Sequence, residues 1–139
     1  MCAAEQLMGA PDASPRQWCV LVVEDEPVLR MLLADHLRRT GFKVLEADNA
    51  RDAMAFMDSQ LPVDLVFSDI NLLGGMDGQA LSNWLRLVHP KLPVILCSGG
   101  PRISFPDAPH DRRFLSKPYT LEAVELEIRE LLNDVEDGA

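Results

Sequence analysis

The chain has 139 residues, 47% hydrophobic and 25% charged, with a formal net charge of −9. That length suits one domain able to bury a core of its own, and the acidic balance argues against nucleic acid as a partner, because neutralising phosphates needs clustered Lys and Arg. No run of apolar residues approaches a membrane span, and residues 1–18 lack the basic-then-apolar order of a secretory signal, so a cytoplasmic protein without a membrane partner is expected.

Residues 1–17 carry Gly9, Pro11, Ser14 and Pro15 and no hydrophobic period, which predicts a flexible N-terminal tail. From Trp18 onward strands alternate with amphipathic helices, and the domain is expected over 18–136, with 137–139 as a C-terminal tail. Cys19–Val23 is a continuous apolar run, as a strand buried on both faces should be. Pro27 opens a helix in its favoured first-turn position, Val28, Met31, Leu32 and Leu37 continue it, and Gly41 ends it. Lys43–Ala47 is a short second strand. Asn49 is placed to cap a helix running to about Gln60, with Ala53, Phe56 and Met57 on one face.

Pro62 and Asp64 introduce a third strand, Leu65–Ser68, which delivers Asp69 into the glycine-rich loop Gly74–Gly78. A helix from about Gln79 to Val88 follows, then strands Val94–Cys97 and Arg113–Ser116. Thr120 caps a last helix carrying Leu121, Val124, Ile128, Leu131 and Leu132. Such alternation predicts a doubly wound α/β fold with a parallel sheet. Its binding crevice lies beyond the carboxyl ends of the strands, the edge that receives Glu24-Asp25, Asp69, Ser98 and Lys117.

Three carboxylates crowded together repel unless something compensates, and a divalent cation is the natural compensation. An oxygen-only ligand set favours magnesium over zinc. Asp69 is then available as a nucleophile toward a phosphoryl group, with Lys117 and Ser98 as partners for its oxygens. Each residue also has a plainer reading: Asp69 as a turn former, Glu24-Asp25 as helix N-terminal charge, Ser98 as a backbone-bonding turn hydroxyl, Lys117 as a solvated charge. Cys2, Cys19 and Cys97 are irregularly spaced, suggest neither metal nor redox pair, and fit a reducing compartment. Met31, Met54, Met57 and Met76 read as core or loop filler, Arg38-Arg39 and Arg112-Arg113 as solvated element ends, and Tyr119 as a partner-facing or capping aromatic.

Taken in order, Glu24-Asp25 after the first strand, Asp69 after the third, Ser98 after the fourth and Lys117-Pro118 after the fifth make the chain resemble a receiver domain of two-component response regulators, in its stand-alone, chemotaxis-regulator-like form. The resemblance spans about Cys19 to Val135. It implies a flavodoxin-like sheet of five parallel strands in order 2-1-3-4-5, and a phosphoacceptor role for Asp69. It further implies direct magnesium binding by Asp25, binding through water by Glu24, and a metal contact from the Asn71 carbonyl. Ser98 becomes the switch hydroxyl and Lys117 the phosphate partner, with a Lys117–Pro118 bond that is usually cis in the family. Phe114 stands where the family often has a switch aromatic; a core phenylalanine is the alternative, and Pro118 belongs with the same switch region.

The implied partners are a histidine kinase or histidine phosphotransfer protein and a downstream protein reached by surface contact. The expected role is signalling rather than enzymatic turnover. Rival readings are a receiver that binds partners without phosphorylation, and a magnesium-dependent phosphohydrolase working through an aspartyl phosphate. Two features depart from the family pattern. Leu73 replaces the usual proline in a loop lengthened by Gly74-Gly75, and Pro101, Pro106 and Pro109 predict that the family's fourth helix, between the fourth and fifth strands, is shortened or replaced by a loop.

Overall fold

The computed structural model describes residues 17–72, 77–99 and 112–137. Elements follow in the order β1 (Cys19–Val23), α1 (Pro27–Arg39), β2 (Lys43–Ala47), α2 (Ala50–Asp58), β3 (Leu65–Asp69), α3 (Gly78–Val88), β4 (Val94–Ser98), β5 (Arg112–Ser116) and α4 (Leu121–Asp137). The five strands pair in parallel in the order β2-β1-β3-β4-β5, the flavodoxin-like arrangement expected from the sequence.

Period-two alternation sorts the strand side chains into two cores. Val20, Val22, Phe67, Ile95 and Cys97 meet Leu33 and Leu37 of α1 and Val124, Ile128, Leu131 and Leu132 of α4. Leu21, Val23, Val66, Val94 and Leu96 meet Ala53 and Met57 of α2 and Leu81 and Leu85 of α3. Strands β1, β3 and β4 are buried throughout, which is why their sequences read as apolar runs rather than alternations. At roughly 1.5–3 kcal/mol for each fully buried large side chain, these two layers hold the strand ends in place.

Local chemistry sets the element ends. Gly41 takes φ +107° beyond α1, and the Phe42 amide donates back to the Leu37 carbonyl at 3.0 Å. The Asn49 side chain accepts from the Asp52 amide at 2.8 Å. Helix α2 stops at Asp58, two residues short of the expected end, because Gln60 turns left-handed at φ 65° and the Ser59 hydroxyl donates to the Phe56 carbonyl at 2.6 Å. Asp77 caps α3, accepting from the Ala80 amide at 2.8 Å, and Thr120 caps α4, accepting from Ala123 at 3.0 Å. Asp64 ties the starts of β3 and β1: its carboxylate accepts from the Cys19 amide at 2.8 Å and its own amide donates to the Cys19 carbonyl at 2.8 Å.

Three readings of the sequence are corrected. Met31 is no core residue: it stands 58% exposed, beside exposed Val28 and Leu32, because Leu33, Ala34 and Leu37 form the stripe that faces the sheet. Arg113 is no solvated end: its guanidinium reaches Glu127 at 2.8 Å, Glu130 at 2.9 Å and Asp134 at 3.5 Å, all on α4. Tyr119 turns inward, edge-on to Phe67 with ring centroids 5.8 Å apart. The N-terminal tail apart from Gln17, loop residues Leu73–Met76 and the proline-containing 100–111 stretch lie outside the described residues. Helix α4 extends through Asp137, the first residue of the expected C-terminal tail.

Candidate functional site

The carboxyl ends of β1, β3 and β5 bring Glu24, Asp25, Asp69 and Lys117 together. One carboxylate oxygen from each of the three acids lies within 4.8 Å of the others. The Lys117 ammonium donates to Asp69 Oδ2 at 2.9 Å and to Glu24 Oε1 at 3.4 Å. Asp69 Oδ1 accepts from the Asn71 amide at 3.1 Å, and Glu24 Oε2 from the Glu26 amide at 3.2 Å. Asp69 and Glu24 are only 4% and 1% exposed, whereas Asp25 is half-buried and opens the cluster to solvent.

Burial sets the protonation behaviour. It pushes the Glu24 carboxyl up to about 7, opposed by the Glu26 amide and Lys117, while Asp69 and Asp25 reinforce it. Burial works against the Lys117 charge, yet its hydrogen bond to Asp69 and the fields of Glu24 and Asp69 outweigh that and hold it above its ordinary value. The Cys97 thiol, paired in register with Asp69 across β3 and β4, is pushed up by burial and then by the Asp69 charge; it is a neutral wall.

Residues 20–129 match the family of the response regulator receiver domain. The chain belongs to this family. It is 35% identical over 117 residues to the sensor kinase CckA of Brucella abortus (strain 2308), a match covering 81% of this chain but 12% of that protein. It is 29% identical over 120 residues to the response regulator receiver protein CpdR of the same organism, covering 84% of this chain and 92% of CpdR. The fold is shared with the CheY-like receiver from Methanospirillum hungatei JF-1, at a TM-score of 0.80, 20% identity, and coverage of 89% of this chain and 100% of that one.

The remaining expected site residues of this receiver take different places. Ser98 is buried at the end of β4, and its carbonyl accepts from the Lys117 amide at 2.9 Å, so hydroxyl and ammonium sit on adjoining strand ends. Asn71 is exposed and touches Asp69 through its amide. The Lys117–Pro118 bond is cis, and Pro118 lines a cavity of about 380 Å³ with Leu29, Gly99, Lys117 and Tyr119. Phe114 is removed from the acidic cluster: it packs, partly buried, on the α2–α3 side of the sheet.

Two residues escaped the sequence reading. Gly78 lies so close to the Asp69 strand end that a Cβ there would collide with the Asp69 carbonyl oxygen and sit 2.8 Å from Ile70 Cα; its position directly after the Asp77 cap was the available signal. Arg30 donates from Nη1 to the Glu24 carbonyl at 2.9 Å, a local contact across the turn between β1 and α1 that has no sequence signature.

Proposed function

We propose that Asp69 accepts a phosphoryl group from a histidine kinase or histidine phosphotransfer protein, with magnesium bound, and that the receiver then signals by protein–protein contact in the cytoplasm. The observation that carries this reading is the buried Asp69 carboxylate, shared between the Lys117 ammonium at 2.9 Å and an all-oxygen cluster. No helix among the described residues is long and apolar enough to cross a membrane.

The donor set fits magnesium: hard carboxylate oxygens, no sulfur or imidazole, and a half-buried Asp25 on the open side. Asp25 and Asp69 would hold the ion directly, Glu24 through water, and Asn71 through its carbonyl. Once bound, it would supply positive charge against the phosphoryl oxygens. The other tasks belong to the chain. An Asp69 carboxylate oxygen attacks phosphorus on a donor phosphohistidine; the O–P bond forms as the N–P bond breaks, and the imidazole leaves with the electron pair and takes up a proton from solvent. Lys117 exchanges Asp69 Oδ2 for a phosphoryl oxygen, and the Ser98 hydroxyl donates to another. Those exchanges, with Pro118 next to Lys117, bias the loops toward a second state, which Phe114 would sense only from the α2–α3 side of the sheet. The phosphohydrolase reading lacks its acid, since Asn71 stands two residues after Asp69 and has no proton to give a leaving group.

Incubation with acetyl phosphate and magnesium, followed by intact mass, tests the proposal. Wild type gains one phosphoryl group and Asp69→Asn gains none. If wild type gains nothing either from acetyl phosphate or from a phosphorylated histidine kinase domain, the phosphorylation-independent reading replaces this one.

A further inference from the structure

The Glu24-Asp25 turn is held from outside the acidic cluster. Arg30, in α1, donates from Nη1 to the Glu24 carbonyl at 2.9 Å, and its Nε lies 3.5 Å from Glu46 Oε1 on the edge strand β2. The second Glu46 oxygen takes Arg38 Nη1 at 3.0 Å, while Arg38 Nη2 donates to the Val44 carbonyl of the same strand at 3.0 Å. The Glu24 amide meanwhile donates to the Ala47 carbonyl at 3.0 Å. The turn is therefore fixed to β2 twice, once through backbone and once through a planar guanidinium whose donors fit two acceptors together. The Arg30 side chain is 21% exposed and that of Glu46 31%, so solvent screens the pair only in part.

We propose that Arg30 is a positioning residue for the cation site of Glu24, Asp25 and Asp69, with Glu46 as its anchor. This rests on the magnesium reading and deepens it. The proposal has a sign that separates it from simple electrostatics. Taken as charge alone, a guanidinium on the backbone of the Glu24-Asp25 turn repels a cation, and its removal would tighten magnesium binding. Taken as the clamp that holds the turn, its removal loosens the oxygens and weakens binding, as losing an outer partner of a metal ligand does.

Calorimetric magnesium titration of the full chain at pH 8 decides between them, with wild type, Arg30→Ala, Arg30→Lys and Glu46→Gln compared, and folding checked by circular dichroism. The magnesium dissociation constant is expected to rise about tenfold in Arg30→Ala, less in Glu46→Gln, and to be partly restored in Arg30→Lys, which keeps the charge and a single donor direction. Unchanged or tighter binding by Arg30→Ala overturns the proposal while leaving the magnesium reading intact. Absence of binding by wild type overturns the magnesium reading and this one with it. Should Arg30→Ala fail to fold, Arg30→Lys carries the decision, because it keeps the charge and loses the guanidinium's paired donors: weaker binding than wild type supports the clamp, and unchanged or tighter binding rejects it.

Discussion

Glu24 is the residue whose proton has most leverage on this receiver. Its carboxyl is pushed by burial from 4.5 to about 7, so between those values the folded protein holds a proton that the unfolded chain has released. Stability from this group is full below pH 4.5 and falls as pH rises through 7, a change of roughly 3 kcal/mol at ~1.4 kcal/mol per unit. Urea denaturation in EDTA is expected to show that decline between pH 5 and 8 in wild type and a flatter profile in Glu24→Gln; equal slopes would contradict it. Lys117 answers the same charge. With its ammonium gone, Lys117→Met leaves Asp69 and ionised Glu24 facing each other without the bonds at 2.9 and 3.4 Å. The expected cost is about 1–3 kcal/mol at pH 8, less at pH 5 where Glu24 is protonated, together with slower phosphorylation by acetyl phosphate in a mass time course.

At the scale of elements, two glycines separate conformational strain from steric positioning. Gly41 needs φ +107° but has open space around it, whereas Gly78 has an ordinary φ and no room, its would-be Cβ meeting the Asp69 carbonyl. Ala at Gly78 gains up to about 1 kcal/mol in helix propensity but must displace backbone, so a net loss of about 1–3 kcal/mol is expected, with slower phosphorylation because the Asp69 strand end moves. Ala at Gly41 should cost stability through strain and leave phosphorylation unchanged. Chemical denaturation and the mass assay on both variants check this pair. The same contrast shows what was legible in the chain. Strands β1, β3 and β4 and the carboxyl-edge residues could be read because burial on two faces leaves an apolar run and a strand end leaves a polar break. Which of two apolar stripes on α1 faces the sheet could not, since Val28, Met31 and Leu32 have the same chemistry as Leu33 and Leu37. Nor could the bond from His36 Nε2 to Glu125 Oε1 at 3.0 Å, or that from Arg129 to the Thr40 carbonyl at 2.7 Å, because these partners lie 89 residues apart and only the packing of α4 on α1 joins them.

For the whole molecule the governing quantity is the formal net charge of −9. Self-repulsion at that charge weakens the compact state, and any salt relieves part of it. A magnesium effect on stability therefore mixes general screening with occupancy of Glu24, Asp25 and Asp69. The two separate by mass action. A ligand at 100 times its dissociation constant stabilises the folded state by about 2.7 kcal/mol if it binds only that state, and the gain keeps rising logarithmically with concentration; screening depends only on ionic strength. Thermal melts in magnesium chloride and in sodium chloride of matched ionic strength are expected to diverge for wild type, with the magnesium series higher. Asp25→Asn removes one of the three clustered oxygens' charge and should bring the two series together, while Asp35→Asn, an equal charge change in the exposed pair with Arg39, should leave them apart. Coincident wild-type curves would mean that magnesium acts on this acidic chain only as salt.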